Sequence, residues 1–181
     1  MGVKDWFKKK QKDDGIDPLT GLTLSHLKIG YYVDYDLKTW EVTAFNTYDW
    51  GSGDYTHEWQ LTSSGDLLYL EKDMDDEEFW SISRKISFRD LGPGIAEHIK
   101  VHDDPPETLK YQGITYFLEE MAGGHFYQNG TGQGFPLLTW NYEDEDGSHF
   151  LTIEQWGDDD FAAALGEPVE SYQFTNILPK S

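Results

Sequence analysis

From Lys28 onward the chain alternates apolar and polar positions in short runs, as at Val33/Tyr35, Trp40/Val42, Trp59/Leu61 and Leu68/Leu70. A two-residue period sends alternate side chains to opposite faces, so these runs predict strands over 30–36, 39–48, 54–61, 66–72 and 78–87. Turn residues separate them: Gly51-Ser52-Gly53, Ser63-Ser64-Gly65-Asp66 and the acidic stretch from Asp73 to Glu78. Over 88–104 the period changes. Leu91, Ile95, Ile99 and His102 recur at helical spacing, and Pro105-Pro106 stops any helix there. Alternation then resumes, predicting strands at 108–112, 114–120, 124–128, 136–143, 148–156, 160–165 and 168–177. Gly130-Thr131-Gly132-Gln133-Gly134, Asp144-Glu145-Asp146-Gly147 and Gly157-Asp158-Asp159-Asp160 lie between them.

The two halves align with each other. Val33, Tyr35, Thr39, Trp40 and Val42 correspond without a gap to Leu109, Tyr111, Thr115, Tyr116 and Leu118. After a glycine-rich loop Trp59 matches Trp140, and Leu68, Leu70 and Glu71 match Leu151, Ile153 and Glu154. Two copies predict a pseudo-twofold pair of antiparallel β-meanders. The expected fold is therefore all-β, two meanders packed as a sandwich or as paired small barrels, with a short helical linker. The expected organisation is a basic tail and turn-rich lead-in (1–27), a first β repeat (28–88), the linker (89–104) and a second β repeat (105–181).

Composition changes this picture in two places. The 181 residues contain no cysteine, which excludes disulfides, thiolate catalysis and cysteine-ligated metal sites. The formal charge is -20, which repels phosphate backbones and excludes ordinary nucleic-acid binding. That charge is unevenly spread. In residues 1–12, Lys4, Lys8, Lys9, Lys10 and Lys12 stand against Asp5, so this segment is +4 and the remainder -24. No run approaches the roughly 18 apolar residues of a membrane span, and the N-terminus lacks the apolar core of a signal peptide, so a cytoplasmic location is expected.

Candidate chemistry is sparse, and no catalytic or cofactor-binding residue is assigned. His98 and His102 lie four apart on the expected helix, with Glu97, Asp103 and Asp104 beside them, which is ligand chemistry for a divalent metal. The intervening residues are Ile99, Lys100 and Val101, without the glutamate of a zincin motif, and a solvated linker face explains the same residues. Gly147 could mark a calcium loop, but the pattern would place Tyr142 first and Ile153 twelfth, where oxygen ligands are required. Asp158, Asp159 and Asp160 read as solvated loop charge that binds divalent ions at most casually. Gly130, Gly132 and Gly134 have no following Lys-Ser or Lys-Thr pair, so they predict a hairpin loop and not a phosphate cradle. Trp59 and Trp140 could offer platforms to a sugar ring, although aromatics repeated at one place in two β units are the core of each. In the tail, Trp6 and Phe7 adjoin Lys8, Lys9 and Lys10, a pattern suited to weak contact with anionic lipid or with a partner.

Several stretches together carry a family resemblance: Ile29-Gly30-Tyr31-Tyr32-Val33-Asp34-Tyr35, Trp40-Glu41-Val42, Glu58-Trp59-Gln60-Leu61 and Leu68-Tyr69-Leu70 in the first half, and Tyr111-Gln112-Gly113-Ile114-Thr115-Tyr116 and His149-Phe150-Leu151-Thr152-Ile153-Glu154-Gln155-Trp156-Gly157 in the second. The chain resembles the bacterial domain of unknown function 4178, in its Bacillus-like form with two related β halves. The resemblance carries over no catalytic residues and no cofactor. The family's genes lie near those of membrane-stress proteins, small membrane proteins and a decarboxylase-like enzyme. The resemblance thus implies an accessory, non-enzymatic interaction module at the cytoplasmic membrane face, whose partner has a basic surface or is a small membrane protein. A divalent-metal-dependent hydrolase and a small-molecule or glycan-binding module are the alternatives.

Overall fold

The structure, a computed structural model, describes residues 16–17, 20–74 and 78–180. Among these, eleven strands form: β1 (Tyr32–Tyr35), β2 (Lys38–Gly51), β3 (Asp54–Ser63), β4 (Asp66–Met74), β5 (Glu78–Ile86), β6 (Thr108–Tyr111), β7 (Ile114–Tyr127), β8 (Phe135–Glu143), β9 (Phe150–Gly157), β10 (Asp160–Val169) and β11 (Thr175–Leu178). One α-helix, α1 (Ile95–His102), lies where Leu91, Ile95 and Ile99 set the helical period. The chain is mainly β, as the alternation predicts.

The arrangement of the halves differs from expectation. They form neither a sandwich nor two separate barrels. All strands join one antiparallel sheet in the order β11-β1-β2-β3-β4-β5-β10-β9-β8-β7-β6. An additional pairing of β2 with β7 closes the eight strands from β2 to β7 into a single barrel, with β1/β11 and β6 as extensions. The cause lies in the length of β2 and β7, 14 residues each. Each serves its own half at its start and reaches the other half at its end, where Thr47, Tyr48 and Asp49 pair with Tyr127, Phe126 and His125.

Both faces of the barrel wall are used. One face carries two separate apolar clusters. The first joins Trp40, Val42, Trp59, Leu61, Leu68, Leu70, Trp80 and Ile82 to Leu24, Leu27, Phe174 and Ile177, which lie outside the barrel strands. The second joins Tyr116, Trp140, Tyr142, Leu151, Ile153 and Ala163 to Leu91, Ile99 and Leu109. These clusters face outward, beneath covering segments. A tryptophan pins each cover: the Trp59 indole donates to the Leu27 carbonyl (3.0 Å) and the Trp140 indole to the Asp104 carboxylate (3.0 Å).

The other face turns inward, and a β-bulge in each long strand makes this possible. The register shifts between Val42 and Ala44 in β2 and between Leu118 and Glu120 in β7. One extra residue reverses the facing of everything beyond it. Trp40 and Val42 therefore lie in an outer cluster, whereas Asn46 and Tyr48, at the same parity, point into the barrel.

Two glycines explain where alternation misleads. Residues 121–123 separate the expected strands 114–120 and 124–128, yet β7 runs through them and through Gly123-Gly124. A Cβ on Gly124 would lie 2.6 Å from the Asp49 carbonyl oxygen and 2.6 Å from the Trp50 ring, so the seam between β2 and β7 needs glycine there. A Cβ on Gly166 in β10 would likewise overlap the Phe150 ring. Pro168 pairs with Ser81 of β5 beyond the last β9 partner, Phe150 of Gly166, so its missing N–H costs no ladder bond on that side. Gly124→Ala should destabilise the protein by about 1–3 kcal/mol, the range for forced overpacking. Chemical denaturation checks this, and an unchanged midpoint would mean that the seam is not closely packed.

Candidate functional site

Polar residues with the chemistry for function gather inside the barrel. Glu58 on β3, Glu71 on β4 and Glu154 on β9 project into it, with Lys85 from β5 and Tyr48 and Asn46 from β2. β3 and β9 lie on opposite sides of the ring, and Glu58 and Glu154 act on each other electrostatically across it. An eight-stranded barrel is just wide enough for its side chains to fill. The Glu58 carboxylate, 3% exposed, accepts from the Asn46 amide (2.7 Å) and the Tyr48 hydroxyl (3.1 Å). The Glu154 carboxylate accepts from the Lys85 ammonium (2.7 Å) and the Trp156 indole (3.3 Å). At one end the Trp50 indole donates to the Thr56 hydroxyl (2.9 Å), which donates to Asp73 (2.7 Å).

Burial and like charge shape the protonation of this cluster. Burial, then the Glu58 and Glu154 charges, push the Glu71 carboxyl up to about 8. Burial also raises Glu58, against the opposing bond from Asn46. Burial works against a charged Lys85, but Glu154, then Glu58 and Glu71, hold its ammonium above the ordinary value. Burial and then Glu58 raise the Tyr48 hydroxyl. The interior therefore holds a proton on Glu71 at neutral pH, beside one lysine shared among three carboxyl groups. Nothing in the alternation pattern pointed to these residues, because the two bulges decide which positions face inward. The pairing of Glu71 with Glu154 in the aligned halves was the available signal.

The structure scatters the residues singled out by motif. His98 and His102 lie on α1 with ring centroids 4.4 Å apart, and Asp103 caps the helix with φ 62°. Asp104 is engaged by Trp140, and Lys100 pairs with Asp159 of the β9–β10 turn. Among the described residues no three His, Asp or Glu side chains converge closely enough to hold a metal ion. Trp59 and Trp140 are buried (3% and 0% exposed), which removes the sugar-platform role. Gly130, Gly132 and Gly134 lie in the β7–β8 connection. Trp6, Phe7, Lys8, Lys9 and Lys10 lie outside the described residues.

A second polar concavity lies on the outer surface at the β1–β2 turn. It measures about 550 Å³ and is lined by residues 34–39 with Gln173 and Thr175. At its rim Leu37 is fully exposed and has φ 61°, a conformation that a branched side chain adopts only at a cost. The matching turn between β6 and β7 has Gly113 in that place, φ 84°. Burial, then Glu167 and Asp36, raise the Tyr35 hydroxyl to about 12, with Arg84 opposing them.

Comparison with known proteins places the chain among relatives without an assigned activity. Residues 28–171 match the model of the family described as "Domain of unknown function (DUF4178)". An "Uncharacterized protein" of Aquifex aeolicus (strain VF5) is 26% identical over 183 residues, covering 99% of this chain and 100% of that protein. No solved structure matches.

The interior carboxyls make stability depend on pH. Glu71 titrates near 8 when folded and near 4.5 when unfolded, so its stabilisation is complete below about 4.5 and is lost as pH rises towards 8. Glu58 acts with the same sign. His57, lowered by burial and then by Lys72, acts oppositely, but only below 6.5. The melting temperature should fall by a few degrees between about pH 7 and about pH 8.5, and Glu71→Gln should remove most of that fall. A slope unaltered by Glu71→Gln would place the proton on another group.

Proposed function

The chain belongs to the DUF4178 family, and from that premise we propose that it is a non-enzymatic interaction module at the cytoplasmic face of the membrane. Its acidic barrel holds a partner with a basic surface, such as a small membrane protein, while residues 1–12 contact anionic lipid. One observation carries this reading: charge is divided between a +4 head and a body of -24. The interior supports it, because Glu58 and Glu154 bond to neighbours within the barrel, which leaves binding to the outer surface. A dense acidic surface attracts basic partners over about a Debye length, and fixed register then selects among them.

The two halves, in the same proposal, are copies of one unit. β1 and β6 have 4 residues each and β2 and β7 have 14, and both long strands bulge directly after the aligned Val42 and Leu118. The outer surface then presents two related faces to a partner.

Sedimentation with vesicles tests the membrane contact. The full chain should co-sediment with vesicles containing anionic lipid and be released by salt. Each lysine near the surface contributes about 1 kcal/mol, so replacing Lys8, Lys9 and Lys10 by Gln should weaken binding about a hundredfold. Equal sedimentation of the variant and the parent protein would remove the tail from membrane contact.

A further inference from the structure

We propose that the cavity beside Leu37 is the docking site of the chain's own N-terminal segment. Trp6 and Phe7 pack there against Leu37 and Tyr35, and the lysines of the segment face Asp34 and Asp36. This rests on the reading of residues 1–12 as the contact segment, and it gives that segment a resting place on the barrel.

Three independent observations lead there. The first is where the chain enters the barrel. Asp17, 3% exposed, accepts a hydrogen bond from the Ile177 backbone N–H of β11 at 3.0 Å. β11 is also the strand whose Thr175 lines the cavity, two residues away. The segment is thus anchored at the cavity's edge. The ten residues from Phe7 to Asp17 span at most about 35 Å when extended.

The second observation is charge. Asp36 is exposed, and among the described residues Asp34 receives neutral donors, the Thr39 hydroxyl (2.5 Å) and the Asn176 amide (2.7 Å). Lys38, the cation in the lining, is already paired with Asp66 at 2.5 Å. Arg84 acts on Tyr35 from nearby, and the lining itself still offers the Asp34 and Asp36 carboxylates to a segment carrying five lysines and one aspartate.

The third is Leu37 itself. It occupies a left-handed position that glycine fills without strain, and it exposes its whole side chain. Turn geometry does not call for leucine there, as Gln112-Gly113 makes the matching turn. An apolar contact with Trp6 or Phe7 does call for it. Docked, the lysines are withdrawn from lipid. An anionic surface competes for the same lysines and frees the segment, so membrane contact and cavity occupancy exclude each other.

The absence of cysteine allows a clean test on the full chain. A nitroxide on Val3→Cys is the single label, and paramagnetic broadening of backbone amides reports where the segment rests. Broadening should concentrate at residues 34–39 and 173–175 in low salt and disappear at ~1 M salt, where the Debye length is about 3 Å. Asp34→Asn with Asp36→Asn should reduce it several-fold. Leu37→Gly should reduce it too while raising the melting temperature by a few degrees, so lost docking is not mistaken for unfolding. Broadening spread evenly over the barrel, centred elsewhere or insensitive to salt would overturn the proposal. So would broadening that appears only between a labelled copy and a second, unlabelled copy. Loss of vesicle sedimentation with the broadening retained overturns the membrane reading alone, whereas sedimentation without broadening at 34–39 overturns the docking alone.

Discussion

Closure of β7 onto β2 is the contact on which the rest of the structure depends. Three residue pairs make it, Thr47 with Tyr127, Tyr48 with Phe126 and Asp49 with His125, and Gly124 lets the two backbones and Trp50 come close enough. Without it the inward face would be an open sheet in water. Glu58 and Glu154 would no longer oppose each other, and Glu71 would lose its burial and the Glu154 charge, keeping the charge of its cross-strand partner Glu58. The seam thus gathers a polar sheet face into one electrostatic unit, which Lys85 leaves open to solvent at 37% exposure.

Enclosure distributes stability in an unusual way. The apolar clusters lie outside the ring, each beneath a short cover held by one indole N–H. The ring itself is filled by hydrogen-bonded polar groups, which specify register but add little net stability for each bond. Burial of apolar surface under the covers is therefore the main driving force.

Strands and turns were legible because alternation at Val33/Tyr35, Trp59/Leu61 and Leu68/Leu70 responds to a local cause, a wall with one apolar face. The helix was legible from Ile95 and Ile99 ahead of Pro105-Pro106 for the same reason. Trp59 and Trp140 were read correctly as core positions. The gaps at 121–123 and 166–167 in the expected strands are closed in the structure, where β7 and β10 run through Gly123 and Gly166, because a glycine at a strand end and one that admits a neighbouring group look alike in one dimension. Glu58, Glu71, Glu154 and Lys85 were not recognised as a group, because they come from β3, β4, β9 and β5 and are brought together by strand pairing between residues far apart in the chain.

By itself, then, the sequence determined an acidic, mostly β chain with a basic end, the places of its strands and the apolar positions that would form its outer clusters. These follow from local period and composition, although distant pairing changes where a strand ends, as β7 shows by running on to its seam with β2. Only the tertiary structure decided that the halves share one ring, that the polar face turns inward, and that the chain enters beside the acidic cavity at Leu37. Each of these depends on pairings between residues far apart in the chain and on one-residue bulges after Val42 and Leu118. A bulge is a change of phase, and the phase of a strand is set by the neighbour it pairs with.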